Sequence, residues 1–359
     1  MSLNKHVSDR QTARMQLEQN SPEVSSAKRG QGPMVMVYIG DDDPTRGDSH
    51  GFKGIGQRLA QKLHGKFHYI EDKHLAQMYP GTPHPIDGMK LYLRDHGKPD
   101  ILLSRVAHHS WMMTSITPLM MVHEINESLS ANLLGDDSLV SHHLTPEIFD
   151  EHGKKFREHY KDIKSPIVAV MLVNIHEIEN FAQKMISKCA AHDEMTVFIC
   201  SSRRTGPDNY DKLKKRLEEL AQEKGISERL KIDGYNFHEH VHNENAFNPY
   251  IGLIKEAEHI VVAGESLSMV SEPLAVGKRV MIFEPGHSYS SLRKKGLVTD
   301  FKSSADDTRF ETPRIKPVNV TEDITNQLVE KFNKVAKKHG GSFGWVMRAA
   351  SKVKNVLGM

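Results

Sequence analysis

The chain has 359 residues, which at roughly 100–200 residues per domain predicts two domains, each able to bury its own core. Its 48 basic and 46 acidic side chains nearly cancel, so no general polyanion-binding field is expected and nucleic acid is not a predicted partner. Two cysteines, Cys189 and Cys200, outside any CxxC pair, exclude a disulfide framework and a thiolate zinc cage and fit a reducing compartment.

The chain opens with residues 1–33, rich in Gln, Ser, Glu and Arg and without periodic apolar positions; they read as a disordered arm. They lack the apolar core of a signal peptide, and no run reaches the ~20 apolar residues of a membrane span, so a soluble, cytoplasmic protein is expected. The first packed element is MVMVYIG (34–40), a short apolar run that reads as a buried parallel strand. The polar loop Asp41–Gly54 follows, then IGQRLAQKL, with Ile55, Leu59 and Leu63 at helical spacing. Strands at Phe67–Ile70 and Asp100–Ser104 alternate with helices around Met89–His96 and Trp111–Met121, the pattern of a parallel sheet covered on both faces.

A connecting helix within SHHLTPEIFDEHGKKFREHYKDIKSP, ended by Pro166, closes this half, and a second cycle begins at Ile167. The predicted domains are 34–165 and 166–320. The second half shows five strands, at Ile167–Asn174, Thr196–Ser201, Arg229–Tyr235, His259–Gly264 and Lys278–Pro285, and reads as a doubly wound unit. Residues 321–359 read as two helices. The last, Phe343–Leu357, places Phe343, Val346, Met347, Ala350, Val353 and Leu357 on one face flanked by Arg348, Lys352 and Lys354. Such a basic amphipathic helix either packs on its own protein or lies on the inner face of a membrane as a peripheral contact.

Chemistry concentrates in three strand-end loops. The strand HIVVAG opens on Gly264-Glu265-Ser266-Leu267-Ser268, and a helix carrying Glu272 starts at once. Small residues before a helix N-terminus let phosphate oxygens approach free N–H groups, and Glu272 stands where a carboxylate accepts ribose hydroxyls. The plainer reading makes Ser268 an N-cap and Glu272 a helix residue beside the dipole. Ser202-Arg203-Arg204-Thr205 follows a second strand, where either arginine could clamp a diphosphate, or where a solvated turn simply closes at Gly206-Pro207. In the Asp41–Gly54 loop, Asp48 and His50 are the candidates for a general base acting on an acceptor hydroxyl, against a capping role for the loop. His238, His240 and His242 would share a face only in an extended strand; among asparagines they read as loop, and no metal site is predicted. There is no P-loop and no G-x-G-x-x-G, which argues against an NTPase or an NAD-binding domain. Cys189 and Cys200 read as core.

Three stretches, LTPEIFDEHGKKF, SSRRTG and NPYIGLIKEAEHIVVAGESLSMVSEPLAVGKRV, resemble the mitochondrial-fission "elongated mitochondria" proteins of plants and their bacterial relatives. The likeness covers about residues 34–335 and is stronger in the second half. It implies a GT-B architecture, two Rossmann-like domains facing across a cleft, as in nucleotide-sugar glycosyltransferases. It further implies that Gly264, Ser266, Ser268, Met269 and Glu272 hold a donor nucleotide and ribose, with Ser202, Arg203, Arg204 and Thr205 at its diphosphate. The family's Gly-Gly loop is replaced here by Val173-Asn174-Ile175-His176.

The function expected on this reading is metal-independent transfer from a nucleoside diphosphate sugar, with no other cofactor, to a lipid or saccharide acceptor. The alternatives are a non-catalytic adaptor that binds a protein or membrane partner, and an epimerase or hydrolase acting on the same donor.

Overall fold

The computed structural model describes residues 32–40, 47–82, 84–104, 120–122, 139–240, 246–284, 289–301, 310 and 314–338. The N-terminal arm up to residue 31 and the basic amphipathic helix at Phe343–Leu357 lie outside the described residues.

The chain divides into two compact units, each an α/β layer structure. Unit 1 takes the chain up to Leu129, then Ser141–His143, and then everything from Thr321; unit 2 takes Ser130–Val140 and Leu144–Val320. The expected cut at 320/321 coincides with the end of unit 2, whereas the expected cut at 165/166 falls inside it, for reasons visible in the packing.

Unit 1 holds a four-stranded parallel sheet in the order β2-β1-β3-β4. Its strands are β1 (Met34–Ile39), β2 (Lys66–Glu71), β3 (Ile101–Ser104) and β4 (Met120–Val122). β1 is apolar at every position and buried from Val35 to Ile39, as a central strand covered on both faces must be. The last two residues of the helix expected over Trp111–Met121 are strand instead, Met120 and Met121 pairing with Ile101 and Leu102; residues 111–119 lie outside the described residues. A short run of methionines satisfies either periodicity, and sheet pairing decides it.

Helix α1 (Gly47–Lys62) begins eight residues before the expected Ile55 and so takes in the second half of the Asp41–Gly54 loop. Glycine is what allows it. A Cβ on Gly51 would stand 2.4 Å from Ser141 Oγ, and one on Gly54 would stand 2.2 Å from the carbonyl oxygen of His142. The segment Ser141–His143 thus rests on the glycine face of α1. It is fastened by Thr321, whose hydroxyl accepts from His142 N–H at 2.8 Å and donates to His142 O at 3.0 Å. Thr321 stands at the start of the long helix Val320–Lys338, whose Glu322 pairs with Lys62 at 2.5 Å. Between β2 and β3, helices α2 (Asp72–Met78) and α3 (Pro85–His96) cover a core of Met36, Tyr38, Leu75, Met89 and Tyr92.

Unit 2 begins with α4 (Pro146–His159), capped by the Thr145 side chain. This helix ends well before Pro166. It also belongs to the second half, because Phe149 and Phe156 are buried there against α8 (Tyr250–Glu256). The remaining elements alternate: β5 (Ile167–Leu172), α5 (Ile178–Cys189), β6 (Met195–Ser201), α6 (Asn209–Glu223), β7 (Leu230–Tyr235), a short α7 (Phe237–His240), then α8. They continue as β8 (His259–Ala263), α9 (Leu267–Ala275), β9 (Val280–Phe283), α10 (Ser290–Lys294) and β10 (Val298–Asp300), and α11 is the helix Val320–Lys338 of unit 1.

All six strands of unit 2 are parallel, in the order β10-β9-β8-β5-β6-β7. Counted from β5 as strand one, this is the order 3-2-1-4-5-6 of dinucleotide-binding folds, and it reverses between β5 and β8. The sixth strand, only three residues long, is one more than the sequence suggested. Cys189 and Cys200 are buried as expected, and burial pushes both thiols up to about 12, which leaves them unreactive.

The α4–α8 contact depends on Gly252, whose added Cβ would stand 2.4 Å from His152 O and 2.6 Å from Phe156 Cβ. Gly252→Ala is expected to destabilise the protein by about 1–3 kcal/mol through overpacking, read as a lower urea midpoint; an unchanged midpoint would remove α4 from the core of unit 2.

Candidate functional site

The order reversal of the six-stranded sheet brings together the loops that leave β5, β6, β8 and β9. The carbonyl of Leu172, at the end of β5, accepts from Ser202 N–H at 3.1 Å and from the Thr205 hydroxyl at 2.6 Å. Val173 N–H donates to Ala263 O at 2.9 Å. Asn174 Oδ1 accepts from Glu265 N–H at 3.4 Å. Gly264 adopts φ +103° beside Asn174, and a Cβ there would lie 2.8 Å from Asn174 backbone atoms. Glycine is required at this position both by its backbone conformation and by space.

The SSRRTG loop is a self-closed turn. Ser202 N–H donates to Thr205 Oγ1 at 2.9 Å, and Arg204 N–H to Ser202 Oγ at 3.2 Å. From the far side His238 Nε2–H donates to Thr205 O at 2.5 Å, so His238 holds the loop, and His240 stacks on Tyr235 at 4.9 Å. Ser202 and Thr205 therefore spend their polar groups inside the turn, while Arg203 and Arg204 are left exposed at its tip.

The loop after β8 enters α9 through Ser266, whose side chain accepts from Met269 N–H at 3.4 Å. Ser266 is the N-cap, and Ser268 lies inside the first turn. Ser266 N–H in turn donates to the Tyr289 hydroxyl at 3.0 Å. Burial pushes Tyr289 up to about 12, helped by Glu265 and opposed by the Ser266 N–H and by the charges of Arg204 and Arg293. Arg204 thus shares an electrostatic neighbourhood with the α9 entrance, as the convergence of the two loops requires.

Glu272 departs from expectation. Instead of standing at a rim, its side chain is buried, with the residue only 9% exposed, and accepts a very short hydrogen bond from the Tyr250 hydroxyl. Burial pushes its carboxyl up to about 7 despite that bond. The Asn-Pro-Tyr stretch accounts for the pairing: Asn248 Oδ1 accepts from Tyr250 N–H at 3.0 Å and starts α8, which sends Tyr250 across to the second turn of α9. Tyr250, Asn174 and Tyr289 are site residues that the sequence did not single out: Tyr250 stood in a quoted motif, Asn174 in the loop that replaces two glycines, and Tyr289 left no local signal. His238, weighed in the sequence only as a metal ligand and read as loop, lies in the short helix α7 and holds the SSRRTG turn.

One further carboxylate shapes this edge. Glu284, at φ +54° just after β9, accepts from His176 N–H at 3.1 Å and from Glu177 N–H at 2.7 Å. These amides precede α5, the helix after the first strand of the unit, whose N-terminus receives a phosphate in dinucleotide-binding folds. Here the protein's own carboxylate occupies them.

In unit 1, Asp48 and His50 lie in the first turn of α1 rather than in a loop; the Asp48 side chain is outside the described residues. The His50 ring packs against His143 with centroids 4.6 Å apart. Among the described residues no group of three or more His, Cys, Asp or Glu is placed to hold a metal ion, and no helix is long and apolar enough to cross a membrane.

A parallel sheet in this order, with four strand-end loops tied together at its reversal point, defines a doubly wound, Rossmann-like α/β protein. The chain belongs to the mitochondrial fission ELM1 family, whose sequence model matches residues 138–332. No curated protein matches it. Among solved structures it is similar to a glycosyltransferase from Rickettsia africae ESF-5, 12% identical over 91% of this chain and 99% of the other, with a TM-score of 0.39. It is also similar to a UDP-N-acetylglucosamine 2-epimerase from Rickettsia bellii, 12% identical over 84% and 98%, with a TM-score of 0.42. A third is the glycotransferase of kitacinnamycin, 12% identical over 90% and 98%, with a TM-score of 0.39. At such identities and scores these likenesses carry nothing about the chemistry of this chain.

The buried carboxyl has a measurable consequence. Glu272 titrates near 4.5 when unfolded and about 7 when folded, so the folded chain binds the proton more tightly and loses stability as pH rises through that window. Glu272→Gln removes this slope. Across the window the wild type is expected to lose on the order of 3 kcal/mol relative to the variant, measured by urea denaturation at both ends; parallel pH profiles would refute the burial of an ionisable carboxyl.

Proposed function

We propose that unit 2 binds a nucleoside diphosphate sugar at the C-terminal edge of its sheet, and that the protein is a metal-independent glycosyltransferase. The observation that carries this reading is the convergence of the Arg203–Arg204 tip and the Ser266-capped entrance of α9 at the reversal point of the sheet, where open α/β sheets take ligands. Arg203 and Arg204 neutralise the diphosphate, and the first turn of α9 offers it the N–H groups of Leu267 and Ser268, the Met269 N–H being capped by Ser266. Because Glu284 fills the amides before α5, the diphosphate sits on the α9 side of the reversal point.

In this reading Glu272 meets the ribose only by exchanging its hydrogen bond to Tyr250 for the sugar hydroxyls, so nucleotide binding and the Tyr250–Glu272 pair compete. Ser202, Thr205 and Gly264 act by shaping the two loops, and Ser268 and Met269 by presenting the first turn of α9. In unit 1, Asp48 and His50 are the proposed bases for the acceptor hydroxyl.

The adaptor reading has one observation in its favour, the internal carboxylate at the amides before α5, since a protein that has given up phosphate binding can fill that position itself. Thermal unfolding against UDP, GDP, CDP, ADP and their sugar conjugates, without and with divalent metal, separates the two. One nucleotide at about 100 times its Kd is expected to add ~2.7 kcal/mol without metal, and Arg204→Ala is expected to lose that gain with the basal midpoint unchanged. No gain with any nucleotide favours the adaptor; His50→Ala with donor binding intact but no transfer would identify the base.

A further inference from the structure

The opposite edge of the same sheet carries a second constellation. His259 begins β8, and Arg279 immediately precedes β9, so in a parallel sheet both mark the N-terminal edge, away from the strand-end loops described above. A cavity of about 350 Å³ opens there, lined by Lys255, Lys278, Arg279 and Arg314. Its size is at the small end of ligand pockets.

Two glutamates also line it, and each already accepts a hydrogen bond. Glu256 accepts from Arg157 Nε at 2.6 Å, and Glu258 accepts from Ile167 N–H at 2.6 Å. Lys255 pairs with Asp150 at 2.5 Å. Lys278 donates to the carbonyls of Lys255 and Ala257, both at 2.5 Å, capping the end of α8 and leaving one ammonium proton over. Arg279 Nε is buried and has no hydrogen-bond partner among the described residues, and Arg314 is exposed. A desolvated donor without an acceptor is rare in native proteins and calls for a partner.

Burial pushes the Lys278 ammonium down to about 8; Glu258 and Glu256 pull it up, and Arg314 and Lys255 push it down. Burial likewise lowers His259 to about 4, so its ring adds no charge at neutral pH. Four cationic side chains against two carboxylates leave the cavity lining net positive, a balance that a bound anion stabilises. Two guanidinium groups match the forked geometry of phosphate oxygens.

We propose that this cavity binds a small phosphate-bearing anion of two or more charges, held by Arg279 and Arg314 with the remaining proton of Lys278. The site shares no residue with the donor site proposed above, so either can fail alone. The phosphate belongs either to a free small molecule or to a lipid headgroup, and the test separates these sources. The full chain is titrated calorimetrically with inorganic pyrophosphate, and floated with phosphatidylcholine vesicles with and without phosphatidic acid.

Saturable binding of one pyrophosphate per chain is expected, about tenfold weaker in Arg314→Gln and in Arg279→Gln and retained in Arg204→Ala. Arg314 is exposed, so its variant tests the site without threatening the fold. Flotation that depends on phosphatidic acid and is lost in Arg314→Gln would assign the phosphate to a lipid headgroup. Absence of saturable binding to both probes, or binding unaltered in both arginine variants, would overturn the proposal.

Discussion

The end of β5 organises unit 2. One carbonyl, that of Leu172, receives both the amide and the hydroxyl that close the SSRRTG turn. The next residue's amide pairs with the end of β8, and the Asn174 side chain holds the amide of Glu265. Because β5 lies at the order reversal, its polar groups point to loops on both sides, and three segments far apart in sequence acquire one geometry. Any ligand at this edge meets loops that are already tied down, which keeps the ordering cost of binding small.

Much of this fold was legible because its strands are short, continuous apolar runs separated by helix-length segments, a pattern with few alternatives. Reading failed where the deciding force was tertiary. Met120–Val122 is a strand only because β3 is there to pair with it. The early start of α1 depends on Gly51 and Gly54 meeting a segment about ninety residues away, and α4 joins unit 2 through Phe149, Phe156 and Gly252. The two loops singled out in the sequence do lie at strand ends, because Gly, Ser and Arg after an apolar run carry a local signal for a strand-to-helix turn. The burial of Glu272 carried none, because a carboxylate in the second turn of a helix looks the same in sequence whether it faces water or a tyrosine.

The two carboxylates of this edge illustrate opposite solutions to one problem. Glu284 answers its charge with backbone amides. Glu272 has one hydroxyl donor and little solvent, and its environment favours the neutral acid. The first closes a position to external anions; the second holds a polar group in reserve beneath the loop, at a cost in free energy that rises with pH.

Thr321 has a consequence for how the molecule comes into being. Its two hydrogen bonds to His142, with Ile324, Leu328 and Phe332 buried on the helix behind it, complete unit 1 with chain that lies beyond all of unit 2. During synthesis the usual order, amino-terminal domain first, is therefore inverted. Unit 2 has its whole sheet while unit 1 still waits for its last helix, so the half that starts first finishes last, and a nascent chain stopped before Thr321 carries an incomplete amino-terminal core.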